Sequence, residues 1–241
     1  EIWTCRADGS DLLRLTHLND ERVKLAQMSK PDEFHFTGAL DEKVQAWILK
    51  PVGYTEGKKY PVAFVIHGGP QGAITDHFHY RWNPQVFAGA GFGVVAVNFH
   101  GSTGFGQAFT DSISGDWGGK PFEDLMKGLD HALANYKWLD GGRVAALGAS
   151  YGGWMINWIN GHTNRFKALV SHAGVFDLAS MGGETEELWF TLWEFKGYPW
   201  QTPEVYEKWS PSKSAASFKT PTLVIHGEQD MRVPYGQGLQ L

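Results

Sequence analysis

The chain has 241 residues, of which 42% are hydrophobic and 20% are charged, a balance typical of one globular domain with a substantial core. Its formal net charge is −5 and like charges do not form long runs, which argues against a nucleic-acid-binding surface. No apolar run approaches the roughly 18–20 residues that span a bilayer, so we expect no membrane partner.

Residues 1–20 form the first predicted unit. A turn at Asp8-Gly9 separates two short runs of alternating apolar and polar residues, which predicts an antiparallel hairpin. This hairpin does not fit the alternation of strands and helices that follows it. We therefore expect residues 1–20 to stand apart from a domain formed by residues 21–241.

Six short apolar runs bounded by Gly, Pro or charged residues predict buried strands. Between them, residues 122–137 carry one apolar stripe at spacings of three and four, and a second helix is expected to begin at Tyr151. This alternation predicts an α/β protein with a mostly parallel sheet. Residues 183–218, rich in Trp, Tyr and Pro, look like an insertion between two strands. The six runs are residues 44–51, 60–69, 93–101, 143–150, 167–174 and 220–230.

Gly148, Ser150 and Gly152 form a G-x-S-x-G pattern between a predicted strand and a predicted helix. This setting is typical of a nucleophile elbow, in which small residues on both sides of the serine let the strand and helix backbones approach each other. A glycine-rich loop with an ordinary hydroxyl group would show the same letters. The strand before the pattern and the helix after it favour a catalytic serine.

Two other strand ends carry groups that acyl transfer requires. Residues 65–72, VIHGGPQG, end a strand in glycines that permit the close backbone approach of an oxyanion loop, although a simple tight turn is the alternative. The backbone N–H of Tyr151 is the second expected oxyanion donor. Asp230 follows a later strand and is the candidate acid, with Glu228 as a competitor and a turn-forming role as the alternative.

The sequence offers no histidine in the position expected for the general base. The order Ser, Asp, His requires a histidine after the acid, but all ten histidines precede Asp230. We therefore expect the base beyond Leu241, and the chain to be a fragment of a larger enzyme. His77 and His79 form an H-x-H pair without an accompanying carboxylate or cysteine pattern, so we predict no metal and no other cofactor.

Five motifs follow one another in the chain: HGGPQG, VNFHGSTGFGQAF, GDWGGKPFEDL, LGASYGGWM and VIHGEQDMRVP. Over about residues 35–241 they resemble the catalytic domain of the prolyl oligopeptidase family, in its acylaminoacyl-peptidase-like branch and near its secreted fungal dipeptidyl peptidases. The resemblance implies an α/β-hydrolase fold whose mostly parallel sheet lacks its C-terminal end here. It also implies that residues 1–20 are the remnant of the last blade of an N-terminal β-propeller.

The resemblance also implies roles for individual residues. Ser150 would be the nucleophile and Asp230 the acid of the triad, and the N–H groups of Tyr151 and Gly69 would bind the oxyanion.

The resemblance also implies that Arg232 and Val233, which lie shortly after Asp230 in the chain, contact the substrate. Arg232 matches an arginine that holds a substrate carbonyl, a role suited to its several fixed donors, with a surface salt bridge as the alternative. Val233 matches an apolar wall residue of the pocket. Three aromatic residues of the insertion are candidates for further pocket walls or for core packing: Trp189, Trp193 and Tyr198.

The implied activity is that of a secreted serine peptidase that acts on short peptides and releases dipeptides from their N-termini. An acylaminoacyl-peptidase or an esterase would use the same triad, so the catalytic residues do not distinguish these alternatives. A non-catalytic binding protein with a hydrolase fold is a third interpretation, supported only by the missing histidine.

Overall fold

Strands and helices alternate along most of the chain in the computed structural model, which describes residues 1–241. The strands are β1 (Trp3–Thr4), β2 (Leu13–Arg14), β3 (Pro31–Thr37), β4 (Lys43–Leu49), β5 (Tyr60–Ile66), β6 (Gly93–Asn98), β7 (Leu139–Ala149), β8 (Ala168–His172) and β9 (Thr222–Ile225). The helices are α1 (Asp20–Leu25), α2 (Pro84–Gly89), α3 (Gln107–Asp111), α4 (Lys120–Asn135), α5 (Tyr151–His162), α6 (Leu178–Glu184), α7 (Leu188–Phe195), α8 (Pro203–Trp209) and α9 (Gly236–Gln240).

Seven strands form the central sheet in the order β3-β4-β6-β5-β7-β8-β9. The five strands from β6 to β9 pair in parallel, whereas β3 and β4 are antiparallel to their neighbours. Each predicted apolar run overlaps one of these strands. The predicted α/β-hydrolase fold with a mostly parallel sheet is therefore confirmed.

Strand β3 was not expected from the sequence. It buries only Phe34 and Phe36, on one face, while most of its other residues are exposed. A strand at the edge of a sheet needs only one apolar face, so its sequence lacks the continuous apolar run of a central parallel strand.

The strand at the opposite edge, β9, was expected to be buried, but its side chains are exposed. Its side chains Leu223, Val224 and Ile225 are 58%, 38% and 44% exposed. The reason is position, because β9 pairs only with β8. An apolar run predicts a strand, but it does not predict whether other elements cover it.

The hairpin expected in residues 1–20 is present as a separate two-stranded sheet, with Trp3 opposite Arg14 and Thr4 opposite Leu13. The expected insertion is also present: α6, α7 and α8 all lie between β8 and β9. No helix combines the length and the apolar character needed to cross a membrane.

The core joins the sheet to helices α4 and α5. Leu125 and Leu129, two members of the predicted stripe of α4, are fully buried, and so is Ala132. The first ten residues of α5, residues 151–160, are all buried. Burial of a large aliphatic side chain contributes about 1.5–3 kcal/mol to the free energy of unfolding, so the burial of these ten residues fixes α5 against the sheet.

The backbones of β5, β7 and α5 come close together at the junction between β7 and α5. A Cβ atom on Gly148 would lie 2.6 Å from the backbone of Gly152, and a Cβ atom on Gly152 would lie 2.3 Å from the Ile66 carbonyl oxygen. The neighbours are backbone atoms that cannot rotate away. Only glycine therefore lets β5, β7 and α5 meet at this point.

A buried carboxylate of α4 holds the loop that follows β6. Asp124 is fully buried, and it accepts hydrogen bonds from the backbone N–H of Ala39 at 2.7 Å and from the backbone N–H and Nδ1 of His100 at 2.7 and 2.6 Å. On the other side, Nε2 of His100 lies 3.3 Å from the Glu42 carboxylate. Burial by itself lowers the pKa of His100, but the hydrogen bond and charge of Asp124, with Glu42, outweigh it and raise the pKa.

The glycine contact yields a first prediction. Gly152→Ala should lower the free energy of unfolding by more than about 2 kcal/mol, because the added methyl group overlaps a rigid carbonyl oxygen. Gly183→Ala in α6 is the matched control, since a Cβ atom there meets nothing within 4 Å. It should change stability by less than about 1 kcal/mol. Urea unfolding of both variants checks this, and equal effects would contradict it.

The Asp124–His100 pair yields a second prediction. Asp124→Asn should lower the free energy of unfolding by about 3 kcal/mol near pH 6, since one partner of a buried charged pair is lost. The raised pKa of His100 means that the ionic contribution is complete below the unfolded histidine pKa of about 6.5. It disappears as the pH rises through the folded pKa, so the difference from wild type should shrink at pH 9.

The control for this pair is Asp130→Asn on the same helix, because the Asp130 side chain is 67% exposed and pairs with Arg165. Its effect should stay within about 0.5 kcal/mol at both pH values. Urea unfolding measures the difference in the free energy of unfolding between wild type and Asp124→Asn. A difference that grows with pH would contradict the assignment of the charged form to His100.

Candidate active site

A cavity of about 670 Å³ opens where β5, β7 and β8 end. The carboxyl ends of parallel strands are where open α/β sheets bind ligands. The cavity wall includes the six residues to which the resemblance gave catalytic, oxyanion or substrate-binding roles: Gly69, Ser150, Tyr151, Asp230, Arg232 and Val233. Residues far apart in the chain are thus brought to one site.

Ser150 connects β7 to α5 in a backbone conformation that is unusual for a residue other than glycine, with φ 58° and ψ −120°. Such a conformation costs about 1–3 kcal/mol and persists only where the surroundings impose it. Here its N–H donates to the His172 carbonyl at 3.0 Å, and its carbonyl accepts from the Trp154 N–H at 2.9 Å. The tight turn leaves the serine side chain at the cavity wall.

The HGGPQG loop, residues 67–72, lies directly over this turn. A Cβ atom on Gly68 would be 2.8 Å from the Ala149 carbonyl oxygen and 3.3 Å from the Cβ of Ser150. Gly69 has φ 132°, a value that side-chain-bearing residues rarely adopt. The loop can therefore bring its backbone close to the serine because it carries no side chains there.

Tyr151 is the first residue of α5, so its N–H belongs to the helix terminus, where N–H groups lack intrahelical partners and favour negative charge. Its side chain points into the core, and the hydroxyl donates to the Trp117 carbonyl at 2.7 Å. Burial, and then the negative charge of Glu194, raise the pKa of Tyr151 well above its usual value. The phenol therefore stays protonated and remains a donor.

Asp230 is held by the turn that follows it. Its Oδ1 accepts hydrogen bonds from the backbone N–H groups of Arg232 at 3.1 Å and Val233 at 3.0 Å. Its Oδ2 lies 3.9 Å from Nε2 of His226, beyond hydrogen-bond distance. One carboxylate oxygen thus fixes the orientation of the group, and the other accepts no hydrogen bond from the protein.

Arg232 and Val233 differ in exposure. The Arg232 side chain is 62% exposed and its guanidinium lies 3.1 Å from Glu187 and 3.5 Å from Glu186, so it lines the cavity and also forms the surface ion pair that was the alternative. Val233 is 4% exposed and packs into the wall.

His67 has both ring nitrogens engaged. They lie 2.8 Å from the Gly68 carbonyl and 2.9 Å from the Ser102 hydroxyl, and the ring stacks on Phe99 with 4.2 Å between centroids. Burial lowers its pKa to about 4, so the ring is neutral near pH 7. His67 is thus a neutral, fixed part of the cavity wall.

The other two histidines near Asp230 are also structural. Nε2 of His226 donates to the Val233 carbonyl at 2.8 Å, which closes the turn after β9. His172 packs against Trp82, and burial, followed by the nearby His226, lowers its pKa. Neither geometry identifies a base for Ser150.

The aromatic residues of the insertion are arranged differently from the expectation. Trp189 and Trp193 are 63% and 61% exposed, and Tyr198 stacks on Trp200 at the surface, so none of the three is a cavity wall or a core residue. Residues four apart share one face of a helix, and in α7 this face points outward. Phe190, which the sequence analysis did not single out, lines the cavity instead.

Comparisons with known proteins identify the family of the chain. The model of the prolyl oligopeptidase family matches residues 78–241. The chain is 48% identical over 210 residues to dipeptidyl-peptidase 5 of Schizosaccharomyces pombe, covering 86% of this chain and 31% of that protein. It is 42% identical over 246 residues to dipeptidyl-peptidase 5 of Aspergillus fumigatus, covering 100% of this chain and 34% of that protein. The chain therefore spans about a third of the length of these curated relatives.

Among solved structures, an acylaminoacyl peptidase in complex with a chloromethyl ketone is similar with a TM-score of 0.90 and 32% identity, over 97% of this chain and 37% of the other. The acylaminoacyl peptidase of Pyrococcus horikoshii is similar with a TM-score of 0.88 and 31% identity, over 95% of this chain and 37% of the other. Motifs, fold and comparisons agree, and the chain belongs to the prolyl oligopeptidase family.

Proposed function

We propose that this chain carries the nucleophile, the acid and the oxyanion donors of a serine peptidase that acts on short peptides. One observation carries the proposal: Ser150, in its strained conformation, opens onto the same cavity as Asp230 and the HGGPQG loop. A strained serine at a strand-to-helix turn is the geometry of an activated nucleophile.

In the proposed mechanism, Oγ of Ser150 forms a bond to the scissile carbonyl carbon while a histidine takes its proton. Asp230 orients that histidine through its second carboxylate oxygen. The N–H groups of Tyr151 and Gly69 stabilise the negative charge on the carbonyl oxygen. The C–N bond then breaks, the amine leaves with the proton, and water hydrolyses the acyl-enzyme.

The base is proposed to be a histidine outside these 241 residues. His67 is unsuited to the role because both of its ring nitrogens are hydrogen-bonded. In His226, Nε2 donates to the Val233 carbonyl and Nδ1 is buried. We propose residues 21–241 as part of the catalytic domain and residues 1–20 as the remnant of a β-propeller blade.

The proposed substrates are short peptides from which dipeptides are released. The names of the fungal relatives support dipeptide release, and those of the similar solved structures support the acylaminoacyl-peptidase alternative. Arg232 would hold a substrate carbonyl, and Val233 would contact the side chain before the cleaved bond. The resemblance to secreted fungal enzymes leads us to propose an extracellular location.

The third prediction tests the nucleophile. A fluorophosphonate probe should label the intact protein at Ser150, and Ser150→Ala should abolish that label. Ser112→Ala is the matched control, because the Ser112 hydroxyl donates to the Phe109 carbonyl and does not line the cavity. Labelling, read by mass spectrometry of the modified peptide, should be unchanged in the control. Equal labelling of Ser150→Ala and wild type would refute the assignment.

The fourth prediction separates the substrate classes. Dipeptidyl substrates with a free N-terminus should have a kcat/KM at least about tenfold above N-acetyl-aminoacyl substrates and short-chain acyl esters. Parallel assays with one common leaving group measure the ratio. Preference for the acetylated substrate would establish the acylaminoacyl-peptidase alternative, and activity on esters alone would establish an esterase. Absence of all three activities, together with an unlabelled serine, would leave the non-catalytic interpretation.

A further inference from the structure

A fully buried carboxylate, Glu194, lies behind the HGGPQG loop and is not part of the cavity wall. It belongs to α7, in the insertion between β8 and β9. Its Oε1 accepts a hydrogen bond from Nε2 of Gln71 at 2.6 Å, and its Oε2 accepts one from Nε1 of Trp117 at 2.7 Å. An ionisable side chain at such a position is costly unless specific hydrogen bonds compensate its lost hydration.

One hydrogen bond of Glu194 leads to the loop of the first proposed oxyanion donor. Gln71 follows Gly69 by two residues in the same tight turn, and a Cβ atom on Gly69 would lie 2.6 Å from the Gln71 nitrogen. The backbone of Gln71 cannot shift without moving Gly69. Glu194 therefore holds this loop through the only amide side chain that the loop carries.

The other hydrogen bond leads to the second proposed donor. The carbonyl of Trp117 accepts a hydrogen bond from the Tyr151 hydroxyl at 2.7 Å, and the two rings pack edge to face with 5.1 Å between centroids. Trp117 is 1% exposed, so its indole cannot turn to form a hydrogen bond with another group. Glu194 thus connects the two backbone segments beside the serine, through the Gln71 side chain on one side and through Trp117 and the Tyr151 side chain on the other.

We infer that Glu194 is a positioning residue that sets the spacing of the Gly69 and Tyr151 N–H groups, an inference that rests on the proposed function. An oxyanion hole works only when its donors lie about 2.7–3.1 Å from the developing charge. A loop with three glycines has little stiffness of its own. Hydrogen bonds to a carboxylate are short and strong, which suits them to hold such a loop.

Only the hydrogen bonds of Glu194 favour its ionised form. Burial raises its pKa above the usual value and outweighs the hydrogen bonds from Trp117 and Gln71, which act in the opposite direction. Both oxygens face N–H donors, an arrangement that favours the carboxylate form because both of its oxygens are acceptors without a proton to place. A glutamine at this position keeps the shape but offers one acceptor for two donors.

The fifth prediction follows from this shape-preserving change. In the intact enzyme, Glu194→Gln should lower kcat about 10- to 100-fold and leave KM within about threefold, because the donors act mainly in the transition state. Affinity for a peptidyl trifluoromethyl ketone should fall by the same factor as kcat. This inhibitor tests the hole directly, since addition of the serine oxygen to its carbonyl creates the oxyanion. Affinity for a dipeptide product should not change.

Gln71→Met is the second variant, because it removes the donor from the loop and leaves the carboxylate in place. It should reproduce the loss of kcat and of ketone affinity, and it keeps the test open if Glu194→Gln does not fold. Tyr206→Phe is the matched control. It removes a buried hydrogen bond of the same insertion, from the Tyr206 hydroxyl to the Gly197 carbonyl at 2.8 Å, and should leave both quantities within about twofold.

Two results would overturn the inference: Gln71→Met with wild-type kcat and ketone affinity, or Tyr206→Phe with losses as large as those of the other variants. Failure of the proposed function has a different signature. In that case the wild-type protein itself would not be labelled at Ser150 by the fluorophosphonate probe. A labelled, active wild-type enzyme with unaffected variants would reject only the role of Glu194.

Discussion

Behind Ser150, the end of β5, the end of β7 and the first turn of α5 pack backbone against backbone. The position of a Cβ atom on Gly152 is 2.3 Å from the Ile66 carbonyl oxygen, so no other residue type fits without moving a strand or the helix. At this contact the chain passes from β7 into α5 within one residue, Ser150, whose φ is 58°. It also brings the start of α5 and the HGGPQG loop to the same edge of the sheet, where the cavity forms.

The loops at this edge are held by carboxylates that helices bury beneath them. Asp124 of α4 binds two backbone N–H groups, on Ala39 and His100. Glu194 of α7 binds the side chain of Gln71 in the HGGPQG loop and that of Trp117, whose carbonyl accepts the Tyr151 hydroxyl. In both cases an acceptor on a packed helix compensates donors on irregular backbone. Glycine-rich loops thus obtain a fixed geometry from a neighbouring element, since their own sequences supply little stiffness.

The insertion between β8 and β9 contributes to the same site from its far side. Thr185 donates to the Arg232 carbonyl at 2.6 Å, and the Glu186 N–H donates to the Met231 carbonyl at 2.9 Å, so the turn after Asp230 is tied to the start of α7. Helix α7 then presents Phe190 to the cavity and buries Glu194. The candidate acid and the cavity wall are therefore parts of one packed unit.

The sequence by itself determined the features that depend on neighbouring residues: the apolar runs of the strands, the stripe of α4, and the small residues around Ser150. These patterns are local because strand, helix and tight turn each impose a short repeat or spacing. Edge strand β3, the outward face of Trp189 and Trp193, and the bond from Glu194 to Gln71 were decided by the tertiary structure. The last joins residues 123 positions apart, and no local pattern records a contact that exists only after the sheet, α5 and the insertion have packed together.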